Sequence, residues 1–234
     1  MINDIGRPLI LLGTNSNIFK IYELCTSIGY TIAGIIDDDY YGQGEFNGIP
    51  VIGTEQDLIN NVTEYKENYQ FICATTWMAD KVPVHIRNYE KRIRQINLLD
   101  RLDLPVATII SKQAQVSAYS IIGKGVFIDA FSVVEPNTAI SDYVSVYANS
   151  YVGHGSTIGR NSLIQRHCFI TSHITIDHDV YFGLCSKILR THATIGAYTF
   201  VHPNLMLLRD TIAGEEISLV GKDLRKVYHN VVIE

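Results

Sequence analysis

The chain has 234 residues, of which 47% are hydrophobic and 18% charged, and its formal net charge at pH 7 is −5. This length predicts one or two domains. The negative charge and the lack of a basic run argue against nucleic acid or an anionic membrane as the main partner.

The cysteines and the N-terminal residues predict a cytoplasmic protein without membrane insertion. No two cysteines are spaced as CxxC and all lie in apolar segments, which is typical of reduced core thiols. The four are Cys25, Cys73, Cys168 and Cys185. The N-terminal residues lack the charged region and cleavage site of a signal peptide, and no apolar stretch is long enough to cross a bilayer.

Strands and helices alternate in the first half of the chain. The predicted strands are Pro8 to Leu12, Thr31 to Ile36 and Tyr69 to Ala74, with a short edge segment over Gly48 to Gly53, and the predicted helices are Ile18 to Ile28 and Val84 to Leu99. This alternation is typical of a small parallel sheet. We therefore expect an α/β, half-Rossmann-like domain over residues 1–105.

Two features of this domain predict a nucleotide-sugar site. The loop of Gly13, Thr14 and Asn15 joins the first strand to a helix N-terminus, where backbone N–H groups and the helix dipole favour a phosphate. Asp37 and Asp38 end the second strand, where an acidic group usually accepts a ribose hydroxyl. The loop is not GxGxxG, so a plain strand-to-helix turn beside an acidic loop is the alternative.

A period of six residues governs the second half of the chain. Every sixth residue from Ile110 to Ile188 is aliphatic or aromatic. Small residues recur four places after the large ones, as at Ala114, Ser120, Ser132, Thr138, Ser150, Ser156, Ser162 and Cys168. This pattern is the hexapeptide repeat of a parallel β-helix, in which three hexads make one triangular coil. The large residue points inward and the small one lies at the corner.

We expect this β-helix to cover residues 106–220 and to be capped by the first domain and by a C-terminal tail, residues 221–234. Open coils at the ends of a solenoid require such caps. After Ile188 the phase slips by one residue, which predicts a bulged corner or a short loop. Flat solenoid faces tend to pack around a threefold axis, so we predict a closed homotrimer.

Histidines accumulate on one predicted corner of the coils. His154 follows Val152 by two residues, His173 follows the next equivalent residue by three, and His192 falls on the same corner one coil later. Three imidazoles on one edge fit a base with supporting groups or a metal site. The alternative is that corner positions are polar and simply tolerate histidine.

Over nearly all its length the chain resembles the two-domain sugar-nucleotide N-acyltransferases of the left-handed β-helix, hexapeptide-repeat superfamily, with the bacillosamine-pathway N-acetyltransferases as the nearest type. The segments that carry the resemblance are Leu11-Leu12-Gly13, Gly34-Ile35-Ile36-Asp37-Asp38, Asn47-Gly48-Ile49-Pro50-Val51-Ile52-Gly53 and Val152-Gly153-His154-Gly155-Ser156-Thr157-Ile158-Gly159. The resemblance implies an enzyme of O-antigen or lipopolysaccharide biosynthesis that transfers an acyl group, acetyl by expectation, from acyl-CoA to the amino group of a UDP- or dTDP-linked sugar.

In this resemblance His154 is the general base, because it matches the histidine of the family's catalytic hexad. A neutral imidazole suits proton removal from an amine near pH 7. The resemblance places the acyl-CoA contacts at Thr171, Ser172, Leu184 and Arg190, with no metal required. Cys168 is disfavoured as a nucleophile because its hexad position is a buried corner.

The chain departs from the family pattern at several positions. The acid that commonly follows the catalytic histidine is Gly155 here, so another group has to orient the imidazole, and His173 is a candidate for that role or for the base itself. The other departures are Asn15-Ser16-Asn17 in the first loop, Leu163 in place of a second histidine, Thr171-Ser172 in place of Ala-Gly, and Gly221-Lys222-Asp223-Leu224-Arg225 near the C-terminus.

Two other functions remain open at this point. Trimeric β-helices such as γ-class carbonic anhydrases carry zinc between subunits, and the spacing of His173 and His178 resembles part of that ligand set. The third ligand would then fall near Asn137, which is not a histidine. A non-catalytic scaffold is the other possibility, because the CoA signature is altered.

Overall fold

The structure is a computed structural model that describes residues 5–14, 18–76, 82–218 and 226–227, and of residues 82–88 and 226–227 only the backbone. Asn15 and nearly all of the predicted C-terminal tail lie outside the described residues. The chain divides into two compact units, Met1–Ile109 and Ile110–Glu234.

The first unit is an α/β fold around a five-stranded sheet. Its strands are β1 (Leu9–Leu12), β2 (Ile32–Ile36), β3 (Glu45–Phe46), β4 (Ile49–Gly53) and β5 (Gln70–Cys73), and its helices are α1 (Ile18–Ile28), α2 (Glu55–Asn60), α3 (Val62–Asn68) and α4 (Val82–Arg101), with a 3₁₀ turn at Tyr41–Gln43. The sheet order is β3-β4-β2-β1-β5, and only β3 pairs antiparallel. The predicted α/β class is therefore confirmed.

The strand positions follow from the apolar pattern. Every residue of β1 and β5 is buried, as expected for an unbroken run within a parallel sheet. Strand β4 alternates between buried and exposed residues. The prediction that this segment lies at the sheet edge was wrong, because β4 pairs with β2 on one side and β3 on the other. The short β3 covers its outer side, because the glycine turn at Gly48 allows the chain to fold back on itself at φ +78°.

The second unit is a β-helix built from three sheets of very short strands, which pair in parallel except for the last strand, Lys226–Val227. Sheet I contains β7 (Gln115–Val116), β10 (Val133–Val134), β13 (Tyr151–Val152), β16 (Phe169–Ile170), β19 (Lys187–Ile188) and β22 (Met206–Leu207). Sheet II contains β8 (Ile121–Ile122), β11 (Ala139–Ile140), β14 (Thr157–Ile158), β17 (Thr175–Ile176) and β20 (Thr194–Ile195). Sheet III contains β6 (Ile109–Ile110), β9 (Phe127–Ile128), β12 (Ser145–Val146), β15 (Leu163–Ile164), β18 (Tyr181–Phe182), β21 (Phe200–Val201), β23 (Glu215–Ile217) and β24 (Lys226–Val227).

The hexapeptide period accounts for this interior. The large residues from Val134 to Val201 are at most 1% exposed and form one continuous core. At the corners, buried hydroxyls are satisfied by the backbone of the next coil, because a buried polar group needs a partner. Ser150, for example, donates to the carbonyl of Gln165 at 2.7 Å and accepts from the N–H of Cys168 at 3.2 Å. The fold is that of a left-handed β-helix.

The phase slip after Ile188 is present as an enlarged corner. Ile188 in β19 and Ile195 in β20 are seven residues apart instead of six, and both are fully buried. The extra residue is absorbed before His192, which has φ +59° like the other left-handed corner residues. The inward register therefore continues through the insertion.

Candidate active site

The candidate site lies on one edge of the β-helix, here called the histidine corner. It consists of the turns from sheet I to sheet II, residues 135–138, 153–156, 171–174 and 189–193. Because successive coils stack in register, side chains from residues about 18 apart become neighbours. His154, His173 and His192 are thereby brought together, as predicted.

The imidazole of His154 is held by two side chains from neighbouring coils. Its Nδ1 lies 3.2 Å from Oε2 of Glu135, on the preceding coil, and 2.9 Å from Oγ of Ser172, on the following coil. The same Glu135 oxygen accepts the backbone N–H of His154 at 3.0 Å. The side chain of His154 remains 52% exposed, so a substrate in solution can reach it.

Glu135 is itself fixed by an aromatic neighbour. The hydroxyl of Tyr151 donates to its carboxylate, and this bond, followed by those from His154, lowers the pKa of Glu135 below its ordinary value. Burial, with the carboxylate second, raises the pKa of Tyr151 to about 12. The ring of Tyr151 stacks on that of Phe169 at 4.8 Å. At neutral pH the site therefore holds an ionised carboxylate and a protonated phenol.

The other two histidines of the corner form a stack against His154. The rings of His154 and His173 meet edge to face at 4.8 Å, and those of His173 and His192 lie nearly parallel at 4.9 Å. Gly155, at φ +66°, leaves the space that His173 fills, since a Cβ there would lie 2.5 Å from Nδ1 of His173. His173 makes ring contact with His154, whereas the groups facing Nδ1 of His154 are Glu135 and Ser172.

This geometry suits a general base. An ionised carboxylate can only accept hydrogen bonds, so its position favours the tautomer with the proton on Nδ1 of His154. The lone pair is then on Nε2. The arrangement is the imidazole–carboxylate pair found in many hydrolytic and transfer sites.

The residues expected to contact acyl-CoA separate into two places. Thr171, Ser172 and Arg190 lie on the histidine corner, where the guanidinium of Arg190 is 3.4 Å from Asp210. Leu184 is 38% exposed and lies on a different edge, in the turn from sheet III to sheet I. Ser172 contacts the candidate base directly.

A groove of about 630 Å³ runs along that other edge. Its walls combine a cation, a thiol and apolar side chains. They are formed by His167, Cys185, Lys187, Asn204, Leu205 and Met206. Burial raises the pKa of the neighbouring Cys168 to about 12, in keeping with the expectation that this residue is not a nucleophile.

In the first unit, Asp37 lies at the carboxyl end of β2 but is completely buried. Its carboxylate accepts from Oγ1 of Thr14 at 2.8 Å, from the backbone N–H of Asp39 at 2.9 Å and from Nζ of Lys91 at 2.9 and 3.0 Å. Asp38 accepts from the backbone N–H of Glu55, the first residue of α2, at 2.8 Å. Both carboxylates therefore have structural partners.

Close to Asp37, the carboxyl ends of β1 and β5 pack closely together and carry polar side chains. A Cβ on Gly13 would lie 1.9 Å from Oγ1 of Thr75, which donates to Gln95 at 2.6 Å. The hydroxyl of Thr76 is buried and has no hydrogen-bond partner among the residues that the structure describes. A buried hydroxyl without a partner is unusual, and a ligand at this edge of the sheet would satisfy it.

A second imidazole–carboxylate pair lies on the turn from sheet II to sheet III. Nδ1 of His178 is 2.7 Å from Asp179, whose other oxygen accepts from Asn161 at 2.7 Å. His173 and His178 are at opposite ends of β17, so the structure does not bring together the two residues of the zinc hypothesis. Within the described residues, no group of three or more histidine, cysteine or acidic side chains is arranged to hold a metal ion.

Sequence reasoning missed Glu135, Tyr151 and Lys91. For Glu135 and Tyr151 a signal was available, because the 18-residue coil places Glu135 next to Gly153 and Tyr151 next to Val133. For Lys91 no comparable signal exists, since the period of α4 does not say which strand end a lysine faces.

Among the described helices, none is long and apolar enough to cross a membrane.

Comparisons with known proteins place this fold. The family model of the PglD N-terminal domain matches residues 19–76. The acetyltransferase domain of PglB from Neisseria gonorrhoeae FA1090, in complex with acetyl coenzyme A, is similar at TM-score 0.75 and 23% identity, covering 90% of this chain and 95% of that one. No curated protein sequence matches the chain.

Two further solved structures are similar over nearly the whole chain. PerB from Caulobacter crescentus, in complex with CoA and GDP-perosamine, gives TM-score 0.76 at 18% identity and covers 92% of this chain and 95% of its own. WeeI from Acinetobacter baumannii AYE gives 0.75 at 18% identity, with coverage of 90% and 96%. At these identities the likeness establishes the two-unit fold.

Proposed function

We propose that this protein transfers an acyl group from acyl-CoA to the amino group of a nucleotide-linked amino sugar, with His154 as the general base. The observation that carries the proposal is the exposed imidazole whose Nδ1 faces an ionised Glu135. Support comes from the similar structures, one of which holds acetyl coenzyme A and another both CoA and GDP-perosamine.

The reaction requires one proton to leave the amine. The amine nitrogen attacks the thioester carbonyl, Nε2 of His154 takes the proton, and the C–S bond breaks as the tetrahedral intermediate collapses. The imidazolium then returns the proton to the CoA thiolate. Base catalysis of this kind contributes about 10²–10⁴-fold, and alignment of the two substrates contributes further. A backbone N–H of the corner is the expected donor to the oxyanion.

The nucleotide belongs at the carboxyl edge of the first unit's sheet. Gly13 lies against the side chain of Thr75, the residue before Thr76 with its buried unpartnered hydroxyl, and Lys91 is a cation that contacts Asp37. Asp37 then acts by holding Thr14 and Lys91 in place, and the exposed Asp38 is the better candidate for a ribose hydroxyl. UDP and dTDP are the expected carriers, with GDP as the competitor suggested by PerB.

Acyl-CoA belongs on the β-helix. The histidine corner supplies Thr171, Ser172 and Arg190, while the groove next to Leu184 supplies Lys187 for a phosphate and Met206 for the apolar pantetheine arm. Since the corner and the groove are different edges of one protomer, we propose that a homotrimer completes the site, with the groove of one copy facing the corner of the next. The proposed location is the cytoplasm, where acyl-CoA is available.

The test is a matrix of acceptors and donors. Purified protein is incubated with acetyl-CoA or a longer acyl-CoA and with UDP-, dTDP- or GDP-linked amino sugars that differ in the position of the amine, and both free thiol and acylated sugar are measured. Transfer to at least one amino sugar, and none to the corresponding hydroxy sugar, is expected. Thiol release without sugar product, or no turnover with any carrier and acyl donor, would contradict the proposal.

A further inference from the structure

The corner residue after His154 has no side chain that could orient the imidazole. Gly155 occupies that place, and the volume that a side chain would need is filled by the ring of His173. An acid could not be added at position 155 without displacing His173. The group that orients His154 therefore has to come from another coil.

Glu135 lies on the preceding coil and contacts His154 at two atoms. Its Oε2 accepts the backbone N–H at 3.0 Å and faces Nδ1 at 3.2 Å. The hydroxyl of Tyr151 holds the same carboxylate, which keeps it ionised. The stacked ring of Phe169 in turn limits the motion of Tyr151. The network runs from sheet I to the base and does not include residue 155, which directly follows His154.

The side chain of Ser172 is able to stabilise either tautomer of His154. Its hydroxyl lies 2.9 Å from Nδ1 and is able either to donate to that nitrogen or to accept from it. If the hydroxyl donates, the imidazole proton must be on Nε2, and the nitrogen that faces the substrate has no lone pair. A carboxylate at the same nitrogen favours the opposite tautomer, because it accepts only.

We propose that Glu135 is the positioning residue that fixes the Nδ1–H tautomer of His154 against the competing hydroxyl of Ser172, with Tyr151 holding Glu135 in place. The inference rests on the proposed function for its catalytic meaning, whereas the tautomer itself is a property of the folded protein. Glu135 does not touch the reacting atoms. Its removal should lower kcat and leave KM for both substrates unchanged.

The experiment reads the tautomer and the rate separately. Protein labelled with ¹⁵N-histidine is studied by NMR at pH 8.5, about two units above the ordinary histidine pKa, and the His154 signals are assigned with the His154→Gln variant. We expect Nδ1–H in the wild type, a shift towards Nε2–H in Glu135→Ala, and a kcat lowered about 10–100-fold. Tyr151→Phe should be intermediate between the wild type and Glu135→Ala in both tautomer and kcat. His178→Gln is the matched control and should change neither.

A double variant separates orientation from mere packing. If Ser172 donates to Nδ1 once the carboxylate is gone, then Glu135→Ala/Ser172→Ala should recover several-fold in kcat over Glu135→Ala alone. An unchanged tautomer in Glu135→Ala would overturn the proposal. So would a loss of kcat in Glu135→Ala that accompanies a loss of folding stability and is not recovered in the double variant. If the wild type transfers no acyl group, the proposed function fails, and the tautomer measurement still decides the role of Glu135.

Discussion

The two units use their polar residues in opposite ways. In the β-helix, the corner positions project from a core that is already complete, so His154 stays half exposed while its partners hold only one ring nitrogen. In the α/β unit, Asp37 is buried and its two oxygens accept four contacts from Thr14, Asp39 and Lys91. Functional side chains at a solenoid corner therefore need not take part in core packing. The aspartate at the end of β2, in contrast, contributes mainly to the stability of the fold.

The largest expected effect breaks the repeat itself. Ile158 is fully buried and points inward, while its neighbour Thr157 is exposed on sheet II. Ile158→Asp places an unpaired charge in the coil interior, which should cost more than about 5 kcal/mol. Thr157→Asp is the matched control and should change stability by less than about 0.5 kcal/mol. Chemical denaturation followed by circular dichroism measures both, and similar stabilities would mean that the inward register is wrong.

A somewhat smaller effect is expected at the end of β2. Asp37→Asn removes the charge that pairs with Lys91, whose side chain is only 11% exposed, and breaking such a pair costs about 3–5 kcal/mol. Asp38→Asn weakens one hydrogen bond to the start of α2 and should cost about 1 kcal/mol.

The two aspartates should also differ in binding, which calorimetry with the accepted sugar nucleotide measures. Asp38→Asn is expected to raise Kd in a protein of nearly normal stability. If instead Asp37→Asn proved as stable as the wild type and lost only nucleotide affinity, Asp37 would be a ligand, as first expected from the sequence, and the contrast between the units would fail.

The smallest effect concerns the thiols. Burial raises the pKa values of Cys25 and Cys168 to about 12, so below pH 9 both remain protonated and shielded from alkylation. Cys185 is partly exposed and lines the groove, so Ellman's reagent should react with it first, and Cys185→Ser should remove that fast phase. Protection of Cys185 by acetyl-CoA would support the groove as part of the donor site. Equal reactivity of the buried thiols would contradict the described core.

What the sequence reveals differs between the units for a physical reason. A strict period maps residue number onto position, so the register, the corner histidines and the enlarged turn after Ile188 were all predictable. The partners of His154 were predictable in principle, because stacking at 18 residues brings Glu135 and Ser172 to it. In the α/β unit, the antiparallel β3 and the pairing of Lys91 with Asp37 depend on tertiary packing, and no local pattern specifies them.

The most direct test of the central claim compares the two imidazole–carboxylate pairs of the β-helix. His154→Gln and His178→Gln each replace a partly exposed imidazole that faces a carboxylate, so they perturb stability similarly. Acyl transfer to the accepted amino sugar is then measured at saturating acetyl-CoA. The account predicts a loss of about 10²–10⁴-fold in kcat for His154→Gln and near-normal turnover for His178→Gln. Full activity in His154→Gln, with the loss transferred to His173→Gln or His178→Gln, would contradict it.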